Sequence, residues 1–238
     1  MTKKYVYILL GVAVLFAFLA WLFIESSKPL PGEKIASNCD SFMDFSKLEN
    51  AKTADKCRIH VPEATLVNYS TNPPTLGPHS ASWITKGFYD TSRFDGNLVH
   101  SLEHGYVVIS YDCERKGTQS VILNLIQDLY RFRIKSGMTD VYAQGMTAGS
   151  EGSPSASLES MPKAFSDGSC DVIKNQIRDV IKKSGDHKLI AVPRVGMDHQ
   201  IILTAWGRIL KLNSVDQSQM KQFIDSFRDA GPEHTVEP

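Results

Sequence analysis

The sequence predicts an α+β domain, a small mixed β-sheet flanked by helices, preceded by one N-terminal transmembrane helix. Three observations carry that prediction. An unbroken apolar run, Val6 to Ile24, opens a chain whose composition is otherwise that of an ordinary folded protein, 42% hydrophobic and 22% charged. Beyond it, short β-branched and aromatic runs alternate with segments of helical apolar period. Their order is strand, short helix, strand, two helices, strand, turn, strand, helix. That order suits a mixed sheet with helices packed on it and admits a thioredoxin-like layout.

The apolar run, VYILLGVAVLFAFLAWLFI, contains no charge. At helical rise it reaches roughly 28 Å, about the thickness of a bilayer's hydrocarbon core. Lys3 and Lys4 precede it and Glu25 follows it, which places the N-terminus in the cytoplasm and the remainder outside. Tyr5 and Trp21 lie near its ends, where interfacial aromatics are common. Its length, and the lack of a convincing small-x-small cleavage site before Glu25, argue against a cleaved signal peptide. The expected organisation is a cytoplasmic tip over 1–5, a single-pass cell-membrane anchor over 6–24 and a stalk and lead-in over 25–58. An extracytoplasmic domain over 59–233 and a tail over 234–238 follow. The 26 basic and 26 acidic residues cancel, so no basic field points to a nucleic-acid partner.

Four cysteines suit a domain in an oxidising compartment, where disulfides persist. Three pairings are open. The favoured one joins Cys39 to Cys57, which closes a short loop, and Cys113 to Cys170. No CxxC is present, so neither thiol exchange nor a zinc ribbon is indicated.

In chain order, Ser26 to Lys34 is a polar, proline-containing stalk, and the folded domain is expected to begin near Ile59. Thr65 to Tyr69 is a short strand candidate. Ser70 to His79 (STNPPTLGPH) is a stiff, extended loop that ends on an imidazole. Trp83 to Tyr89 is aromatic and packs on the domain. Asn97 to His104 is a short helix with Asp95 or Asn97 as its cap and Gly105 past its end. Tyr106 to Tyr111 is a buried strand, because Val107, Val108 and Ile109 run together without polar alternation. Ser120 to Lys135 is an amphipathic helix, and Thr139 to Ser169, rich in Gly, Ser, Ala and Pro, is a mobile insertion. Asp171 to Lys183 is a helix capped by Gly185, and Leu189 to Val192 is a strand. Pro193 to Asp198 turns the chain into a hairpin whose second strand is His199 to Trp206. Ser214 to Ala230 is the last helix, with Ser214 and Gln217 as a capping box and Gly231-Pro232 as its stop.

Several phrases together resemble a known family. They are HVPEATLVNY from His60, NPPTLGPH from Asn72, LVHSLEHGYVVISY from Leu98, LTAWGR from Leu203 and FRDAGPE from Phe227. The resemblance is to the bacterial family catalogued as domain of unknown function 3105, whose members usually carry one N-terminal membrane helix. It covers about Ile59 to Glu233, with the stalk and the 139–169 insertion outside it. The chain departs at Ala64, where the family usually has glycine, and at Leu76, where it usually has serine. Neither position is a metal-ligand type. The resemblance implies an architecture and no particular reaction.

The residues best suited to chemistry are histidines. His100 and His104 lie four apart, on one face of the short helix, and the stiff loop delivers His79. Three neutral imidazoles suit copper or zinc. His199 and Met197, near the expected hairpin turn, are the candidates for a fourth ligand, and a thioether would tilt the site toward Cu(I). A competing reading makes the imidazoles structural. They would bond backbone carbonyls in a non-catalytic envelope module whose insertion meets a protein partner. A third reading takes His100, Glu103 and His104 as HxxEH, a zinc-hydrolase pattern in which Glu103 activates water. Against it, a glycine and a strand follow at once, and the downstream Glu151 and Glu159 lie in the insertion. Glu103 then orients an imidazole or joins an ion pair. His60, His187 and His234 read as surface or structural residues, and Trp83, Tyr89, Tyr106 and Trp206 as packing. GxSxG and phosphate-loop patterns are absent. The chain thus reads as a membrane-anchored, extracytoplasmic protein that binds copper or zinc, with no catalytic role assigned.

Overall fold

The computed structural model describes residues 3–26, 29–46, 48, 54–63, 65–115, 162–166, 168 and 170–235. The chain divides into Met1–Leu30 and Pro31–Pro238. The first unit is one helix, α1 (Lys3–Ser26), whose described large side chains, such as Phe16 and Trp21, are exposed. Among the described residues, no helix is long and apolar enough to cross a membrane.

The second unit is built on five consecutive residues that are buried on both sides. β5 (Val107–Tyr111) is buried throughout. Val107, Ile109 and Tyr111 enter one core cluster and Val108 another. That is why its sequence shows no polar alternation: both faces of the sheet are covered. On one face lie α3 (Asp171–Ser184) and α4 (Gln217–Phe227), which contribute Ile177, Val180, Met220, Phe223 and Ile224. On the other lies α2 (Asp95–Glu103), through Leu98 and Leu102. The unit is therefore a mixed sheet between two helical layers, and among the described residues α2 is the one helix on its face.

The remaining strands are β1 (Glu33–Lys34), β2 (His60–Val61), β3 (His79–Ser80), β4 (Gly87–Phe88), β6 (Leu189–Pro193), β7 (Ile201–Ala205) and β8 (Arg208–Leu212). The six-stranded sheet has the order β1-β8-β7-β5-β6-β4. β5 and β4 run parallel to β6, whereas β7 is antiparallel to β5 and to β8, and β8 to β1. β2 and β3 form a separate parallel pair that sets His60 beside His79.

Several sequence expectations are corrected. The 189–206 segment is not a hairpin: β7 passes to the far side of β5 and pairs there, with β5 between it and β6. The hairpin is β7–β8, turned at Gly207, whose φ of +65° suits glycine. β8 was concealed in RILKL, where charged Arg208 and Lys211 are half-buried between apolar neighbours. Residues 65–69 are not a strand. The compact unit begins well before Ile59, since Glu33–Lys34 pairs with β8. The α2 cap position is Phe94, and Asp95 is spent on Arg194, at 2.6 and 2.7 Å. α4 is capped by Asp216, not by a Ser214 box. The helix expected over 120–135 lies outside the described residues, as does the 139–169 insertion apart from 162–166 and 168.

Both disulfides join the expected partners, Cys39–Cys57 and Cys113–Cys170. The second ties the segment after β5 to the start of α3. The first sits in a small cluster with Phe42 and Leu76, so the leucine at 76 packs beside the bridge that holds β2 in place.

The chain ends as a strap across the C-terminus of α2. Asp229 N–H donates to Gly105 O at 2.9 Å, and Glu233 N–H to Glu103 O at 3.0 Å. The backbones meet so closely that a Cβ at Gly231 would collide with Glu103 O and Gly105 N. Lys188, 3% exposed, holds the strap from beneath through Asp229, at 3.0 Å, and Thr235 O, at 2.9 Å. Gly231→Ala is therefore expected to destabilise the protein by about 1–3 kcal/mol, the usual cost of overpacking a closed contact. Thermal unfolding measures it, and an unchanged melting temperature would show that the strap does not seat here.

Candidate metal centre

Four segments from distant parts of the chain converge at the C-terminal end of α2. A helix places residues three and four apart on one face, so His100, Glu103 and His104 face together. The β2–β3 pair supplies His60 and His79 in register, their rings 5.0 Å apart. The strap supplies Glu233. Arg194 fixes the relation of loop to helix, because it binds Asp95 at the head of α2 and also Asn72 in the proline-rich loop, at 2.6 Å. Ser101 bonds the backbone of Ile84 at 2.9 Å in both directions and so pins the segment carrying Trp83.

The inner imidazoles are anchored from behind. His79 Nδ1 lies 2.8 Å from Gly77 O and His100 Nδ1 lies 2.8 Å from Ser80 O. A carbonyl can only accept, so both Nδ1 atoms carry the proton and a neutral ring leaves Nε2 as a lone pair. His79 Nε2 approaches Glu103 Oε2 at 2.9 Å. The distance is short enough for an ion pair, but the two atoms are not aligned as donor and acceptor, and both are buried without a hydrogen bond among the described residues. His100 Nε2 lies 3.0 Å from His104 Nε2, which in turn lies 3.4 Å from Glu233 Oε2.

Electrostatics keep this cluster ready to take a cation. Burial, reinforced by His79 and His104, lowers the His100 pKa to about 4, so the ring is neutral at neutral pH. Burial, with His79 beside it, also lowers His60. Burial opposes ionisation of Glu103, yet the contacts to His79 and Arg58 outweigh it and hold the carboxyl below its usual range. Arg58 reaches Glu103 Oε1 with Nε at 2.5 Å and Glu233 Oε1 with its terminal nitrogen at 3.2 Å. Two indole rings border the cluster. Trp83 lies 5.7 Å from His100 and 5.1 Å from His104, and Trp206 meets His79 edge-on at 6.2 Å.

Among the described residues, two donor groups are close enough to hold a metal ion. One is His60, His79, His100 and Glu103, and the other is His100, His104 and Glu233; within each, the donor atoms lie within 4.8 Å of one another. The structure thus brings together His79, His100 and His104, but not the two expected fourth ligands. His199 pairs with Asp198 at 3.1 Å and belongs to neither group. Met197 packs among Ile35, Ile202 and Ile209. Both were placed by a hairpin that does not form. His60 and Glu233 were missed. His60 lies in a two-residue strand with no periodicity to mark it, and its pairing with His79 is non-local. Glu233 is more than a hundred residues from its partners in sequence, although the FRDAGPE phrase contains it.

Arg58 is more than one-third exposed while Glu103 is 1% exposed, so their link is strong on one side and solvent-screened on the other. In a double-mutant cycle on metal-free protein, Arg58→Gln and Glu103→Gln are expected to couple by about 0.5–2 kcal/mol, the range for partners in one network. Strictly additive denaturation free energies would refute that link.

No curated protein and no solved structure matches the chain. A family model matches over residues 60–138 and 167–238, which contain every residue of both donor groups. The chain belongs to the family described as Protein of unknown function (DUF3105).

Proposed function

We propose that the protein is a membrane-anchored, extracytoplasmic metal-binding domain that holds one zinc or copper ion through His60, His79, His100 and Glu103. One observation carries the proposal: His79 and His100 are each fixed by a backbone carbonyl at Nδ1, which turns each Nε2 into the cluster, where Glu103 Oε2 lies 2.9 Å from His79 Nε2. Metal-ligating histidines are commonly held this way, since the outer hydrogen bond sets tautomer and ring angle. Three imidazoles and a carboxylate suit Zn²⁺ or Cu²⁺. The tilt toward Cu(I) falls away with Met197. Ligand bonds of about 2.0–2.1 Å would draw the donor atoms to roughly 3.3 Å apart in a tetrahedron, a modest contraction of the present group.

Four protein donors fill a tetrahedral site, which favours holding an ion over activating water on it. The hydrolase reading gains a downstream carboxylate, Glu233, but its proposed base is poorly placed. Glu103 is buried and engaged by Arg58, and its carboxyl is held below the ordinary range, whereas a general base works best near the operating pH. The anchor rests on α1, a 24-residue helix, and on the charge-free run within it, with Lys3 and Lys4 on the cytoplasmic side.

Full-length protein purified in detergent is expected to carry, or to take up after stripping, one equivalent of zinc or copper and to melt at a higher temperature with it. His60→Ala replaces an exposed ligand and leaves no buried hole. It should cost more than the about 10–100-fold in affinity typical of an outer-shell change. Absence of uptake of either metal, with no shift in melting temperature, would leave the imidazoles as structural pins and refute the proposal.

A further inference from the structure

The two donor groups share one atom. His100 Nδ1 is committed to Ser80 O, so His100 offers a single lone pair, at Nε2, and cannot serve two ions at once. The groups differ in access. His79, His100 and Glu103 are 0%, 4% and 1% exposed, whereas His104 is 6% exposed and the Glu233 side chain 36%. Arg58 spans both groups and holds one oxygen of each carboxylate. The other oxygens, Oε2 of Glu103 and Oε2 of Glu233, face His79 and His104.

From this geometry we propose that His104 and Glu233 form an outer landing site, which captures a divalent cation from solvent and passes it to the inner site by ligand exchange about His100 Nε2. The inference rests on the inner site proposed above. In the exchange, the bonds from the ion to Glu233 Oε2 and His104 Nε2 break, and bonds to His79 Nε2, Glu103 Oε2 and His60 form. The bond to His100 Nε2 persists throughout. No electron moves; His100 keeps its Nδ1 proton on Ser80 O, and the proton that bridges His104 Nε2 and His100 Nε2 in the metal-free protein passes through solvent to His104 Nδ1 when the ion lands. The distance of 3.0 Å between His100 Nε2 and His104 Nε2 makes the transfer a short displacement. Trp83, 44% exposed, flanks the outer site and reports on it.

A landing site speeds entry and exit alike, because the same path is travelled in both directions. Stopped-flow mixing of metal-free, full-length protein with Zn²⁺, read by tryptophan fluorescence, tests this. Zn²⁺ release to a chelator gives the reverse rate. Glu233→Gln is expected to slow both rates by the same factor, at least ~10-fold given the usual reach of electrostatic capture. Stoichiometry and dissociation constant should stay the same. His104→Gln should do the same, and an unchanged metal-free melting temperature shows that each variant is folded. Unchanged rates in both variants would overturn the proposal and place entry elsewhere, such as past His60. A raised dissociation constant with an unchanged association rate would also overturn it, by making Glu233 a ligand of the resting site. If the wild-type protein takes up no zinc, the inner site fails and the landing site with it.

Discussion

A carboxylate with almost no contact with water is the constraint on which the site depends. Glu103 is 1% exposed, and a buried charge must be compensated or it neutralises. Its compensation is assembled from three regions. Arg58 reaches one oxygen from a short 3-10 turn that Asp55 caps and the Cys39–Cys57 bridge ties down. His79 approaches the other from the end of the proline-rich loop, held by the β2–β3 pair and by Arg194. The strap closes over the backbone of Glu103 through Glu233 N–H. Disulfide, loop and C-terminus therefore act on one point, and each would be less ordered without the others.

What was legible in the sequence follows from what is local. β5 could be read because burial on both faces leaves a continuous apolar run. α3 could be read because its stripe and its Gly185 end both lie within one segment. The meeting of His100 and His104 follows from helix geometry alone. The non-local pairings were not legible. Nothing within 189–206 tells that β7 must pair with β5 and not with β6, since both choices bury the same apolar residues. That single error carried Met197 and His199 into the expected site. His60 was set aside for the same reason: its role arises only once a two-residue strand pairs with another nineteen residues downstream. β8 was missed because two charges in five residues masked a strand whose apolar positions are buried.

The strap explains why a short phrase at the far end of the chain belongs to the same unit as the helix. Gly105 has a φ of +85° and so ends α2 and turns the chain into β5. The same bare glycine lets the backbone at Asp229 approach, and Gly231 returns the approach from the other side. Two residues without side chains are needed because the contact is backbone on backbone. The crossing puts Glu233 at the mouth of the histidine cluster, where its carboxylate shares Arg58 with Glu103.

The sharing of Arg58 also separates this arrangement from the hydrolase that HxxEH first suggests. In that chemistry the glutamate keeps a free oxygen for a metal-bound water while both histidines serve one ion. Here α2 ends at Glu103, so His104 occupies the cap. Its Nε2 faces Glu233, while His100 Nε2 lies within reach of His79 and His60 as well. The two histidines of the motif thus share one group with Glu233, and His100 belongs to the other group as well, so the groups overlap at one nitrogen. Glu103 lies between Arg58 and His79, one oxygen facing each. A motif that in a hydrolase binds one ion and activates water here adjoins a second donor group, because α2 ends at Glu103 and the strap brings its own carboxylate.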